Sequence, residues 1–436
     1  MTIATLLNPS FSRRRPAALT LGVLAASLAL SAAAGQQPTF RSSVDLVAVD
    51  VQVVDADGNP VAQIDPADFH VTISGKRRRV VSAQFVRDAA GTPSPLALAS
   101  KESPLPEVRG SGRTMILAVD TGSFEPGTER PPMEALRNVV ATFDPADKVG
   151  LYTYPRSTWM APSIDRAPLR VRLDGIAGDR QPLRSHYNLR PWEIVDITAQ
   201  STNPNSFLTA SRNQGRGLDP TVSESFDPVL KIQRRECPGE ADCPIRIYEE
   251  GVALATQLER ESQASVAGLE ALLEGVARIP GRKFVVLVSA GLLVSDRLDG
   301  RPDVGDMARV MGQAAARANA TVYTIHVDTH FSGGANAERK GAGSTDTNRE
   351  RAIFGNWLDK FSDGAGGTRI HVPVGDGSFA LARVLRESSA YYLLGVEPEA
   401  ADRDGRARTL SVKVDRKNVS IRSRQWVVIP PAAPKR

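Results

Sequence analysis

Residues 113–120 read R-T-M-I-L-A-V-D, a run of apolar residues from Met115 to Val119 closed by an acid at Asp120. A strand with one wet face alternates apolar and polar residues, whereas a strand covered on both faces reads as a continuous apolar run. Residues Glu134 to Phe143 follow with helical spacing. The same pair of signals recurs, with strands at Val149 to Tyr154, Lys283 to Ser289 and Thr321 to Val327, and helices around Glu249 to Ala277, Val304 to Ala318 and Asn348 to Phe361. This alternation predicts an α/β unit over 113–390, a mostly parallel sheet with helices on both faces. In its longest helix Ala255, Leu258, Ser262, Val266, Leu269, Leu272, Leu273 and Val276 fall at three- and four-residue steps, so one face is core.

Working outward, the grammar changes on both sides. Val47, Val49, Val51 and Val53 alternate with Asp50 and Gln52, the D-A-D-G-N-P segment from Asp55 is a turn by its chemistry, and further strands are expected at Phe69 to Ile73 and Val80 to Val86. A proline- and serine-rich linker at 89–112 separates this β segment, 42–88, from the α/β unit. The end of the chain, 391–430, returns to β grammar with Leu410, Val412 and Val414 alternating. The two terminal β segments are expected to share one β-sandwich, because a short ribbon is marginal alone. Inside the α/β unit, residues 179–248 lose all periodicity and read as an insert, of a length that is usually functional or disordered.

The first 35 residues have the three parts of a secretory signal: Arg13 to Arg15, an apolar run from Ala17 to Leu30, and small residues that place cleavage near Ala34 or Gly35. The apolar run is shorter than the ~20 residues of a membrane-spanning helix. The expected destination is secreted or periplasmic, with no transmembrane segment in the mature chain. Loss of the leader's three arginines lowers the net charge from +5 to +2, so the charge balance names no partner. The basic run Lys76 to Arg79 reads as solvated charge at a sheet edge, and no nucleic-acid partner is expected. Cys237 and Cys243 are the only cysteines, and in an oxidising compartment they are expected to form a disulfide closing a small loop.

Several segments together resemble the VWFA-related domain proteins of acidobacterial and similar secretomes: V-D-L-V-A-V-D-V-Q-V-V-D from Val44, D-G-N-P-V from Asp57, P-A-D-F-H-V from Pro66, M-I-L-A-V-D-T-G-S from Met115, I-P-G-R-K-F-V-V-L-V-S-A-G from Ile279, and Y-Y-L-L-G-V from Tyr391. The resemblance implies a von Willebrand type A-like, doubly wound, mostly parallel sheet. In that wider fold a divalent cation sits at the carboxyl ends of the strands on an Asp-x-Ser-x-Ser loop, a Thr from a second loop and an Asp from a third, all oxygen donors suited to a hard ion. Here Asp120 matches the leading acid, but Gly122 and Phe124 stand at the serine positions with Ser123 one place out of register. The third loop reads Ser289-Ala290-Gly291, without its carboxylate, and Ser163 in P-S-I-D stands loosely for the Thr. The expectation is a degenerate remnant, Asp120, Ser123 and Ser163, with no metal and no cofactor. Asp120 also suits a purely local role, hydrogen-bonding loop amides at a strand end.

His326, Asp328 and His330 alternate at the end of a predicted strand and form a second, weaker metal-ligand candidate. The G-A-G-G-T segment from Gly364 lies between a helix and a strand, opposite to a phosphate loop, and reads as a helix-terminating turn. No nucleophile elbow or zinc-protease pair occurs. The leading expectation is a non-catalytic binding module for a protein or cell-envelope partner, without dependence on metal. The alternatives are a secreted metal-dependent hydrolase using His326, Asp328 and His330, and an assembly subunit of a surface or secretion structure.

Overall fold

The computed structural model describes residues 46–87, 108–109, 112–199, 228–329, 344–373, 375 and 377–431. The expected leader lies outside these residues, as do most of the linker and the middle of the insert. The strands are β1 (Val47–Val54), β2 (Phe69–Ile73), β3 (Lys76–Arg87), β4 (Val108–Arg109), β5 (Thr114–Asp120), β6 (Lys148–Tyr154), β7 (Thr158–Ser163), β8 (Lys283–Ser289), β9 (Ala320–Val327), β10 (Arg369–Val372), β11 (Ala390–Glu397), β12 (Ala407–Val414), β13 (Ser420–Arg422) and β14 (Trp426–Val428). The helices are α1 (Arg130–Val140), α2 (Ala167–Asp174), α3 (Pro191–Thr198), α4 (Pro228–Glu236), α5 (Cys243–Ala277), α6 (Met307–Arg317), α7 (Ser344–Gly364) and α8 (Ser378–Glu387).

One sheet runs β10-β9-β8-β5-β6-β7, parallel throughout except for the antiparallel edge strand β7. The opening octapeptide supplies its central strand. Met115, Leu117 and Val119 face a core shared with α1, α2 and α8, while Ile116 and Ala118 face one shared with α5, α6 and α7. Burial on both faces is why the run is continuous, and each fully buried aliphatic side chain contributes about 1.5–3 kcal/mol. The chain leaves β5 toward β6 and β7 and later returns to add β8, β9 and β10 on the other side. The crevice where that direction reverses lies at the carboxyl ends of β5 and β8, the usual ligand position in an open α/β sheet.

The second sheet is antiparallel apart from β4, in the order β13-β1-β11-β3-β2-β12-β14, with β4 paired to β3. The two ends of the chain do interleave: β11 lies between β1 and β3, and β12 pairs with β2. They form a single sheet curled into a half-barrel, however, and not the two stacked layers of a sandwich. The physical reason is β3, twelve residues long, which pairs with β11 along one stretch and with β2 along another. An irregularity at Gly395/Val396 adds to the bend. The curl encloses one core built on Val49, Val51, Val53, Phe69, Val71, Phe85, Tyr392 and Leu394.

The structure also corrects the reading of Lys76 to Arg79. Both β2 and β3 are interior strands, and Arg78 turns inward to an ion pair with Asp402 at 2.7 Å, so edge protection does not explain the run. Buried Gln52 ties the sheets together, accepting from Tyr323 Oη at 2.8 Å and donating to the Glu387 carbonyl at 3.0 Å.

Candidate functional site: the capped carboxyl-end face

The insert is not structureless. Its described part holds α3 and α4, and α5 starts at Cys243, before the expected Glu249. Ile194, Val195 and Ile197 of α3, Val229 and Ile232 of α4, and Ile247, Leu254 and Leu258 of α5 make an apolar cluster. Leu293 from the loop after β8, and Ile353 and Phe354 from α7, belong to the same cluster. The insert is therefore a cap seated over the carboxyl-end crevice. Charged groups fasten it: Arg349 of α7 donates to both carboxylate oxygens of Asp196 in α3 at 2.7 Å and to Asp296 at 2.9 and 3.0 Å. Cys237 and Cys243 are disulfide-bonded, joining the end of α4 to the start of α5.

Asp120 lies under this cap, 2% exposed. Ser265 of α5 donates to its carboxylate at 3.0 Å and Ser289 at 3.1 Å. Ser123 Oγ donates to the Asp120 carbonyl at 2.7 Å and accepts the Ala290 amide at 2.8 Å. Burial pushes the Asp120 carboxyl up to about 7, against the opposing effects of the two serine hydrogen bonds and the Arg180 charge. Helix α5 comes close enough to make these bonds because Gly268 carries no side chain; a Cβ there would stand 2.6 Å from the Tyr154 ring. Asp120 is thus a strut between β5, α5 and the end of β8, each of its oxygens accepting a serine hydroxyl.

These residues do not fit a divalent cation. Asp120 is the one carboxylate among the matched positions, Ala290 brings no side-chain oxygen, and Phe124 is fully buried in the core on the α1 face. Ser163 is not brought to Asp120 at all. It pairs with Val149 near the amino end of β6, whereas Asp120 pairs with Tyr154 at the carboxyl end, about 17 Å away along the strand. Ser163 is exposed and accepts the Asp165 amide at 3.1 Å.

The second candidate is divided as well. His326 is 2% exposed in β9, and Arg369 Nη1 donates to its Nδ1 at 2.8 Å. A guanidinium can only donate, so Nδ1 carries the lone pair, and the ring's remaining N–H goes to the Ala290 backbone. Burial, reinforced by the Arg369 charge, holds the imidazole down to about 3. Both nitrogens are engaged in a neutral core histidine. Asp328 accepts from Arg351 at 2.7 Å and lies 3.5 Å from His371 Nε2. His330 lies outside the described residues. Among the described residues no group of three or more His, Cys, Asp or Glu side chains is placed to hold a metal.

Sequence reasoning missed Ser265, Arg180, Tyr154 and His371. The signal for Ser265 was present, since serines at 262 and 265 interrupt an apolar helical face, and both hydroxyls are satisfied, Ser262 by the Leu293 carbonyl at 2.9 Å. His371 is brought beside His326 only by the β9–β10 register. In comparison with known proteins, no family model and no curated protein matches this chain.

Proposed function

We propose that this chain is an exported, non-catalytic binding protein with a von Willebrand type A-like α/β unit, holding a protein or cell-envelope partner without a bridging cation. The observation that carries the reading is the closure of the carboxyl-end face: Asp120, the one residue that matches the family's leading ligand, is buried under α5 with its oxygens bonded to Ser265 and Ser289. The strand order, and the position of Asp120 at the end of the central strand, support the fold assignment. Export is supported by the paired cysteines, and among the described residues no helix is long and apolar enough to cross a membrane. The partner surface is then the outside of the cap, an elaboration carried on a rigid scaffold. The hydrolase alternative draws no support from His326, whose two nitrogens are both occupied.

Pull-down of the mature protein from envelope extract, with and without EDTA, tests the reading. The expected result is a partner retained equally in both arms. A partner lost on chelation would overturn the cation-independent reading, and hydrolytic activity abolished by His326→Gln would overturn the non-catalytic one.

A further inference from the structure

We propose that the cleft between the curled sheet and the turn linking α7 to β10 is a binding site for a neutral saccharide. The cleft has a volume of about 520 Å³, and Asp363, Thr409, Ser411, Arg422, Gln425 and Trp426 line it. Concave sites of this size at the junction of two structural units are where small ligands usually bind.

The walls are fixed to one another. The Gln425 amide donates to the Gly364 carbonyl at 3.0 Å, and the Leu410 amide donates to the Gln425 carbonyl at 2.8 Å. The turn approaches closely because it is built of glycine: Gly366 has φ +79°, and a Cβ on Gly367 would meet the Val322 carbonyl at 2.0 Å. Trp426 is half-buried, with its indole against Gly312 of α6, where a Cβ would lie 3.2 Å from the ring nitrogen. The Nε1/Cδ1 edge of the ring is thereby held against α6, which lowers the cost of ordering it around a ligand.

The chemistry of the lining selects the class. A pyranose presents an apolar C–H face together with hydroxyls that both donate and accept. Trp426 offers an aromatic surface for the first. The Asp363 carboxylate, the Gln425 amide and the hydroxyls of Thr409 and Ser411 serve the second; Asp363 feels the charges of Arg422 and Asp359, and among the described residues none of the four side chains is hydrogen-bonded within the protein. Arg422 and Asp363 bring opposite charges, so the cleft favours an uncharged ligand over an anion. This inference stands on the cleft alone and does not depend on the cap or on the proposed protein partner.

Calorimetry and tryptophan fluorescence on the purified mature protein, with cellobiose, maltose and N,N′-diacetylchitobiose as probes and inorganic phosphate as the anion control, test it. At least one disaccharide is expected to bind in the millimolar range or tighter, weakened about tenfold or more by Asp363→Ala and by Gln425→Ala. Both residues are exposed, and unchanged melting temperatures will show that the variants fold. Trp426→Phe is expected to bind more weakly while keeping the same preference among sugars. The proposal fails if none of the three disaccharides binds, if binding is the same in both alanine variants, or if only phosphate binds. Because no partner protein is present, this result is separate from the outcome of the pull-down.

Discussion

Replacing Asp120 by Asn should change the pH dependence of stability more than the stability itself. The buried carboxyl has its folded value raised from 3.8 to about 7, mainly by burial. An acid raised in the folded state binds its proton more tightly there than in the unfolded chain. Its contribution to stability is therefore greatest below the unfolded value, falls as pH rises through the interval up to the folded value, and is level above it. Each unit is worth about 1.36 kcal/mol, so the interval of roughly three units corresponds to about 4 kcal/mol at most. An asparagine keeps the size and an acceptor for Ser265 or Ser289 but cannot ionise. Denaturant titrations of wild type and Asp120→Asn from about pH 4.5 to 8.5 isolate the effect, since every other titrating group is common to both proteins. The variant should gain on the wild type as pH rises and be the more stable above neutrality. A difference that does not vary with pH would show that burial does not raise the Asp120 carboxyl, and a variant that loses on the wild type as pH rises would show that the anion is favoured in place; either result would refute the raised acid.

Further outcomes follow from the same geometry. His326 has its folded value depressed to about 3, so it contributes stability that is complete above the unfolded value and is lost as pH falls below it; nitrogen-15 spectra should show a neutral ring, protonated at Nε2, down to mildly acid pH, and a titration in the ordinary histidine range would contradict this. Gly268→Ala should cost about 1–3 kcal/mol, because the added methyl meets the Tyr154 ring at 2.6 Å; an unchanged melting temperature would show that α5 is not seated as described. The double variant Cys237→Ser, Cys243→Ser should loosen the cap by no more than the ~3 kcal/mol of a 15-residue loop, since the pair is only six positions apart; hydrogen exchange should rise in α4 and the first turns of α5, and a rise throughout the parallel sheet would show a wider role. Truncation after Ala390 removes nearly all of β11 together with β12 to β14 and should expose β1 to β3 to protease; a protected amino-terminal unit would contradict the shared half-barrel.

Much of this architecture was legible where burial imposes a pattern. The octapeptide at 113–120 read as a strand because burial on both faces produces a run of five consecutive apolar residues, and Phe69 to Ile73 and Lys283 to Ser289 were placed to the residue. The joining of the two β segments was legible because each alternates and a short ribbon is marginal alone. The curl of that sheet was not, because it depends on which part of β3 pairs with which neighbour, and strand pairing is a long-range property. The cap was misread as structureless for a local reason: α3 has only eight residues, P-W-E-I-V-D-I-T, and its β-branched side chains give no helical period over two turns. At the site, Gly122, Phe124 and Ala290 bring no side-chain oxygen, which is legible directly in the sequence. The surroundings of Asp120 were not legible, since Ser265 reaches it across 145 positions of sequence. Ser163 failed for a related reason, because motif likeness says nothing about which end of a strand a residue occupies.

The claim on which the functional reading rests is that the carboxyl-end face is closed and takes no cation. Thermal denaturation with millimolar Mg²⁺, Mn²⁺ or Ca²⁺ against EDTA tests it most directly, because a ligand at 100 times its Kd adds ~2.7 kcal/mol, well within detection. The melting temperature is expected to be the same with each cation and with EDTA. A rise of several degrees that disappears in Asp120→Ala would contradict it and would restore cation-dependent adhesion through Asp120.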